Sequence, residues 1–91
     1  MTETVKQTVA IVGLGYVGLP LAVRASERGY NVIGYDTNEE KIALLNSGKS
    51  PIEDAFLEAN IGRYPFLATS DGSRLAEADI ILICVPTPVD E

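Results

Sequence analysis

The segment Gly13-Leu14-Gly15-Tyr16-Val17-Gly18 constrains this chain more than any other. It directly follows Thr8–Val12, a continuous apolar run of the kind buried on both faces of a parallel sheet, and it opens a helical pattern from about Tyr16 to Arg28. Three glycines at this spacing have three separate uses. Gly13 permits the tight turn, Gly15 lets a pyrophosphate approach the backbone with no Cβ in the way, and Gly18 lets the helix pack close to the strand. Free amides and the helix dipole at such a start favour a diphosphate. The strand, glycine turn and helix together predict a dinucleotide site; the alternative is a glycine-rich turn with no ligand.

Asn31 to Tyr35 reads as a second strand, and Asp36 ends it 18 residues beyond Gly18. That is close to the ~20 expected for the carboxylate that accepts hydrogen bonds from the adenosine ribose hydroxyls. Its charge repels a 2′-phosphate, and neither Thr37 nor Asn38 supplies an arginine clamp, so NAD is favoured over NADP. The alternative is that Asp36 only caps the helix that follows. Lys41 is either beside the adenine or ribose edge or a solvated helix charge. Val85-Pro86-Thr87-Pro88 makes a stiff loop at the same end of the sheet, either facing the nicotinamide half of the cofactor or simply terminating a strand. Tyr16 lies inside the phosphate turn and is placed to shield the cofactor.

The remaining punctuation completes the topology. The first helix is expected to bury Val17, Leu21, Ala22 and Ala25 and to stop at Gly29, in a left-handed conformation. Thr37-Asn38-Glu39-Glu40 reads as a capping box that starts the second helix through Ile42, Leu44 and Leu45 to Gly48. Ser50-Pro51-Ile52-Glu53 repeats that signal with proline at the first helical position, followed by Ile52, Ala55, Phe56 and Ala59 at helical spacing. Phe66 to Thr69 is a short strand, Asp71 caps a brief helix, and Ile80 to Val85 is the most apolar strand. Strands alternating with helices through right-handed crossovers imply an α/β fold: a Rossmann-type parallel sheet of about four strands, in the order 3-2-1-4, with helices on both faces.

Composition narrows the function classes. Thirteen acidic residues against seven basic give a net charge of −6, which opposes nucleic acid and anionic membrane surfaces alike. One cysteine excludes a disulfide framework, and the absence of histidine removes imidazole bases and histidine-ligated metals. No apolar run approaches the ~20 residues of a membrane helix, and no leader pattern opens the chain, so a cytoplasmic setting is expected. Cys84 sits in an apolar run and reads as a buried structural cysteine rather than a nucleophile. The acidic pairs Glu39-Glu40 and Glu53-Asp54 read as complements to helix dipoles.

Several of these segments in order carry a family resemblance. They are Gly13 to Ala22, Ile33 to Asp36 with Lys41 and Leu44 to Gly48, Ser50 to Asp54, and Ala78 to Pro88. The chain resembles the N-terminal NAD-binding domain of the UDP-glucose/GDP-mannose (nucleotide-sugar) dehydrogenases. Gly18-Leu-Pro-Leu-Ala22 with Val85-Pro-Thr-Pro88 looks closer to the UDP-N-acetylhexosamine branch. The resemblance implies a parent enzyme that oxidises the C6 hydroxyl of a UDP-sugar to a carboxylate in two NAD-dependent steps. It assigns Gly13, Gly15, Tyr16, Val17 and Gly18 to the pyrophosphate, Asp36 to the ribose, Lys41 to the adenosine and Val85, Pro86 and Thr87 to the nicotinamide side. The family's cysteine nucleophile, lysine, carboxylate and asparagine match nothing here. The 91 residues are therefore expected to form the first part of a larger Rossmann domain, inactive alone, with an exposed strand edge that favours a homodimer. The competing readings are the NAD-binding part of a β-hydroxyacid or hydroxyacyl-type dehydrogenase, and a non-catalytic NAD-sensing or oligomerisation module.

Overall fold

The computed structural model describes residues 7–84. The elements run β1 (Thr8–Val12), α1 (Gly18–Glu27), β2 (Asn31–Tyr35), α2 (Glu39–Asn46), α3 (Ala55–Asn60), β3 (Leu67–Thr69), a 3-10 helix (Gly72–Glu77) and β4 (Ile80–Ile83). All strand pairs are parallel and the sheet order is β3-β2-β1-β4, as the connectivity predicts.

Register decides which side chains share a face. Val9 pairs with Val32 and Ile80, Ile11 with Gly34 and Leu82, and Gly34 with Ala68, so this row looks toward one layer. Val9, Ile11, Val32 and Ala68 join Leu19, Ala22 and Val23 of α1, Leu45 of α2, and Leu57 and Ile61 in one buried cluster. All three α-helices contribute to that face, which is what successive right-handed crossovers from β1 to β3 dictate. The crossover from β3 to β4 reverses direction along the sheet and carries only the 3-10 helix.

Both long helices stop as glycine predicts. Gly29, at φ 95°, donates to the Ser26 carbonyl while Tyr30 donates to Ala25. Gly48, at φ 84°, repeats the pattern on Leu45, with Lys49 donating to Leu44. These paired bonds satisfy carbonyls that a helix end leaves open.

The helix starts differ from expectation in three places. α1 begins at Gly18 rather than near Tyr16, and its buried stripe is Gly18, Leu19, Ala22 and Val23. Gly18 must face β1, and that rotates Val17 and Leu21 outward. At α2 the cap is Asn38, whose side chain accepts from the Lys41 amide, not Thr37. Asp36 causes this shift: its Oδ1 accepts from the Asn38 amide, so the chain turns once more before the helix starts. Ser50-Pro51 does not open α3. Ser50 closes a local turn on Ile52, and Asp54 caps the helix by accepting from the Leu57 amide. The later start resets the phase, so Leu57 is buried in place of Ala55 and Ala59. Asp71 caps the 3-10 helix through the Ser73 amide, as expected.

β4 contrasts with β1. Val9, Ala10 and Ile11 are buried, whereas Ile80, Ile81, Leu82 and Ile83 are all exposed, Ile83 by 72%. The strand has a described neighbour on one side only.

Candidate functional site

The carboxyl ends of β1 and β2 meet where the glycine turn begins. Gly13, at φ 99°, takes a left-handed conformation that side-chain-bearing residues rarely adopt, and its amide donates to the Tyr35 carbonyl at 2.8 Å. A Cβ at Gly18 would fall onto the Gly13 carbonyl and lie 3.2 Å from the Cβ of Cys84. Gly15 is the opposite case. A Cβ there would meet nothing within 4 Å, so the space beside its backbone is open. The sequence gives these two glycines the same letter, and the fold gives them different tasks.

α1 has no side-chain cap and no acidic residue in its first turn. Among the described residues, no acceptor pairs with the amides of Gly15, Tyr16, Val17 or Gly18. Tyr16 and Val17 are 84% and 69% exposed, so the turn faces outward. Bare amides, a positive helix end and open space beside Gly15 fit the diphosphate of a dinucleotide.

Asp36 is tied to this turn. Its Oδ2 accepts from the Leu14 amide at 2.9 Å and from the Lys41 ammonium at 3.3 Å, while Oδ1 accepts from the Asn38 amide at 2.9 Å. Partial burial pushes the carboxyl up, but the Asn38 and Leu14 amides and the Lys41 ammonium outweigh it and hold the group below its ordinary value. Asp36 is therefore ionised at neutral pH, beside the turn. It also organises the approach to α2 without being that helix's cap.

The structure thus brings together Gly13, Gly15, Tyr16, Val17, Gly18, Asp36 and Lys41. Val85, Pro86 and Thr87 lie outside the described residues. Cys84, the last described residue, is partly buried and its amide donates to the Val12 carbonyl, at the same end of the sheet. Two contributors escaped sequence reading. Leu14 is fully buried, and its methyl groups press on Gly34, where a Cβ would stand 3.0 Å from them. The signal was a glycine inside an otherwise apolar strand.

A groove of about 540 Å³ lies elsewhere, against the amino ends of β1, β2 and β3, lined by residues including Thr8, Asn31, Leu67 and Arg74. It is remote from the glycine turn and shares none of its residues. No helix among the described residues is long and apolar enough to cross a membrane.

Comparison with known proteins agrees with the geometry. Residues 7–91 match the UDP-glucose/GDP-mannose dehydrogenase family, NAD binding domain. GDP-mannose 6-dehydrogenase of Pseudomonas aeruginosa is 44% identical over 85 residues, covering 88% of this chain and 20% of that protein. UDP-N-acetyl-D-mannosamine dehydrogenase of Methanococcus maripaludis is 36% identical over 81 residues, covering 88% of this chain and 19% of that protein. The crystal structure of a ternary complex of GDP-mannose dehydrogenase from Pseudomonas aeruginosa superimposes with a TM-score of 0.83 at 42% identity, covering 91% of this chain and 20% of that one. The chain spans 10% to 20% of the length of such relatives. With the glycine turn, the acidic end of β2 and the sheet order in agreement, the chain belongs to the UDP-glucose/GDP-mannose dehydrogenase family, matching its NAD binding domain over residues 7–91.

Proposed function

We propose that this chain is the cofactor-binding part of a nucleotide-sugar 6-dehydrogenase. The uncapped start of α1, opening beside Gly15 and next to an ionised Asp36, carries the reading. In it, the amides of Gly15 to Gly18 hold the diphosphate and Asp36 receives the adenosine ribose. Lys41 flanks that ribose, and Val85, Pro86 and Thr87 lie on the nicotinamide side. Bound NAD accepts the hydride removed from C6 of the sugar, and the parent protein works in the cytoplasm.

The substrate in this reading is a UDP-sugar, UDP-N-acetylhexosamine or UDP-glucose. A second reading, GDP-mannose, is supported by the 44% identity to GDP-mannose 6-dehydrogenase. The residues that attack and oxidise the sugar belong to the rest of the parent protein. Two copies associate along the exposed edge of β4, where Ile80 to Ile83 offer an apolar strand.

Titrating the purified 91-residue chain with NAD tests the binding claim. Saturable binding, weaker than that of a whole dehydrogenase and without NADH formation from any UDP-sugar or GDP-mannose, is the expected result. Turnover by the 91 residues alone would overturn the assignment of catalysis to other segments. Size-exclusion chromatography across a concentration series tests association, and a monomer at every concentration would contradict it.

A further inference from the structure

Lys41 occupies part of the carboxylate that a ribose needs. A carboxylate offers about four lone-pair positions. Asp36 already uses three: one on Oδ1 for the Asn38 amide, and both on Oδ2 for the Leu14 amide and the Lys41 ammonium. A ribose presenting its 2′- and 3′-hydroxyls as donors requires two. The two amides are fixed by the backbone, so Lys41, at the end of a flexible stem with 22% of its side chain exposed, is the donor that gives way. Displaced from Oδ2, its ammonium stays on a stem rooted in the first turn of α2, beside Asp36. Glu39 and Glu40, both exposed in the first turn of α2, are acids, and Lys41 is the one basic residue of that helix and the one paired with Asp36.

We propose that Lys41 sets the dinucleotide selectivity of the site: discrimination between NAD and NADP is a balance between the Asp36 carboxylate and the Lys41 ammonium, not exclusion by Asp36 alone. This rests on the cofactor reading given above. With a plain 2′-hydroxyl, the ribose displaces the ammonium and takes the freed oxygen. With a 2′-phosphate, repulsion by Asp36 is partly offset by the same ammonium, so the site retains measurable NADP affinity.

The test is the ratio of NADP to NAD dissociation constants, read by 15N–1H chemical-shift titration of the 91-residue chain. Lys41→Met should raise that ratio roughly fivefold, the worth of one partly exposed ion pair. Lys41→Arg should keep it within about twofold of the unsubstituted chain, because the charge is retained. Asp36→Asn should lower the ratio roughly tenfold, and adding Lys41→Met to it should cancel the gain in NADP affinity. A merely structural lysine would alter both affinities together and leave the ratio unmoved. An unchanged ratio in Lys41→Met, while NAD still shifts the Gly13–Gly18 amides, overturns this proposal alone; absence of any NAD-dependent shift in the unsubstituted chain overturns the cofactor reading and this proposal with it. The Lys41 variants decide the matter even if Asp36→Asn does not fold.

Discussion

The helices α1 and α2 follow adjacent strands and end in the same glycine-closed way, yet they begin on opposite terms. α2 is closed by its own chain: Asn38 accepts from the Lys41 amide, and Glu39 and Glu40 add negative charge to the first turn. α1 has neither a cap nor an acid, and it begins at a glycine beside two exposed residues. A cap is worth about 1 kcal/mol, so a folded chain optimised for stability alone would have filled that position. α3 and the 3-10 helix are capped too, by Asp54 and Asp71. The helix left bare is the one whose amides face open space at the carboxyl end of the sheet, and in the cofactor reading a diphosphate completes it.

The largest effect separates folding from binding within the same turn. Gly18→Ala should cost about 3 kcal/mol of stability, since its Cβ falls onto the Gly13 carbonyl and crowds Cys84; urea unfolding measures it. Gly15→Ala should leave the unfolding free energy within about 0.5 kcal/mol of the parent, because nothing stands within 4 Å of the added methyl. NAD affinity in that variant should fall roughly 30-fold, as the methyl takes the space of the diphosphate. Equal stability losses in the two variants would erase the distinction between them.

Val17→Asp gives α1 the acidic start that α2 already has. Val17 is exposed, so the fold should hold, while NAD binding weakens roughly tenfold through repulsion at the helix end. The converse change, Asn38→Ala, should cost about 1 kcal/mol of stability and leave NAD affinity within about twofold. If Asn38→Ala weakened NAD more than Val17→Asp, the two helix starts would have exchanged roles.

The smallest effect is on acid stability. The Asp36 pKa is lowered from 3.8 in the folded chain, so its stabilising contribution is present above that value and is lost as pH falls through the lowered folded value. The stability difference between the parent and Asp36→Asn should therefore be constant above about pH 5 and shrink below it. Subtracting the variant removes Asp71, whose pKa is also lowered, by the Ser73 hydroxyl first and then by the Ser73 amide. A difference that grows in acid would contradict the bonding described for Asp36.

Sheet order and the positions of the glycine turn and Asp36 were legible because they rest on strong local signals. These are an apolar strand, glycines whose uses differ by spacing, and a carboxylate at a strand end. The helix starts were less legible. Thr37 and Asn38 are both good caps, and the choice fell to Asn38 because Asp36 turned inward to bond Leu14 and Asn38. Ser50-Pro51 carries a valid start signal that a local turn on Ile52 absorbs, four residues before Asp54. The outward rotation of Val17 and Leu21 depends on Gly18 meeting β1, a contact that periodicity within one helix does not contain. Lys41 read more readily as a solvated surface charge, and only the folded geometry sets it on the Asp36 oxygen.

The bare start of α1 is tested most directly by adding NAD to the 15N-labelled chain and following every backbone amide. The largest shifts should fall on Gly15, Tyr16, Val17 and Gly18, with smaller ones at Leu14 and Asp36 and little change along α3. Shifts concentrated instead at Thr8, Asn31 and Leu67, the groove at the opposite end of the sheet, or no saturable shift at all, would contradict the placement of the cofactor at α1.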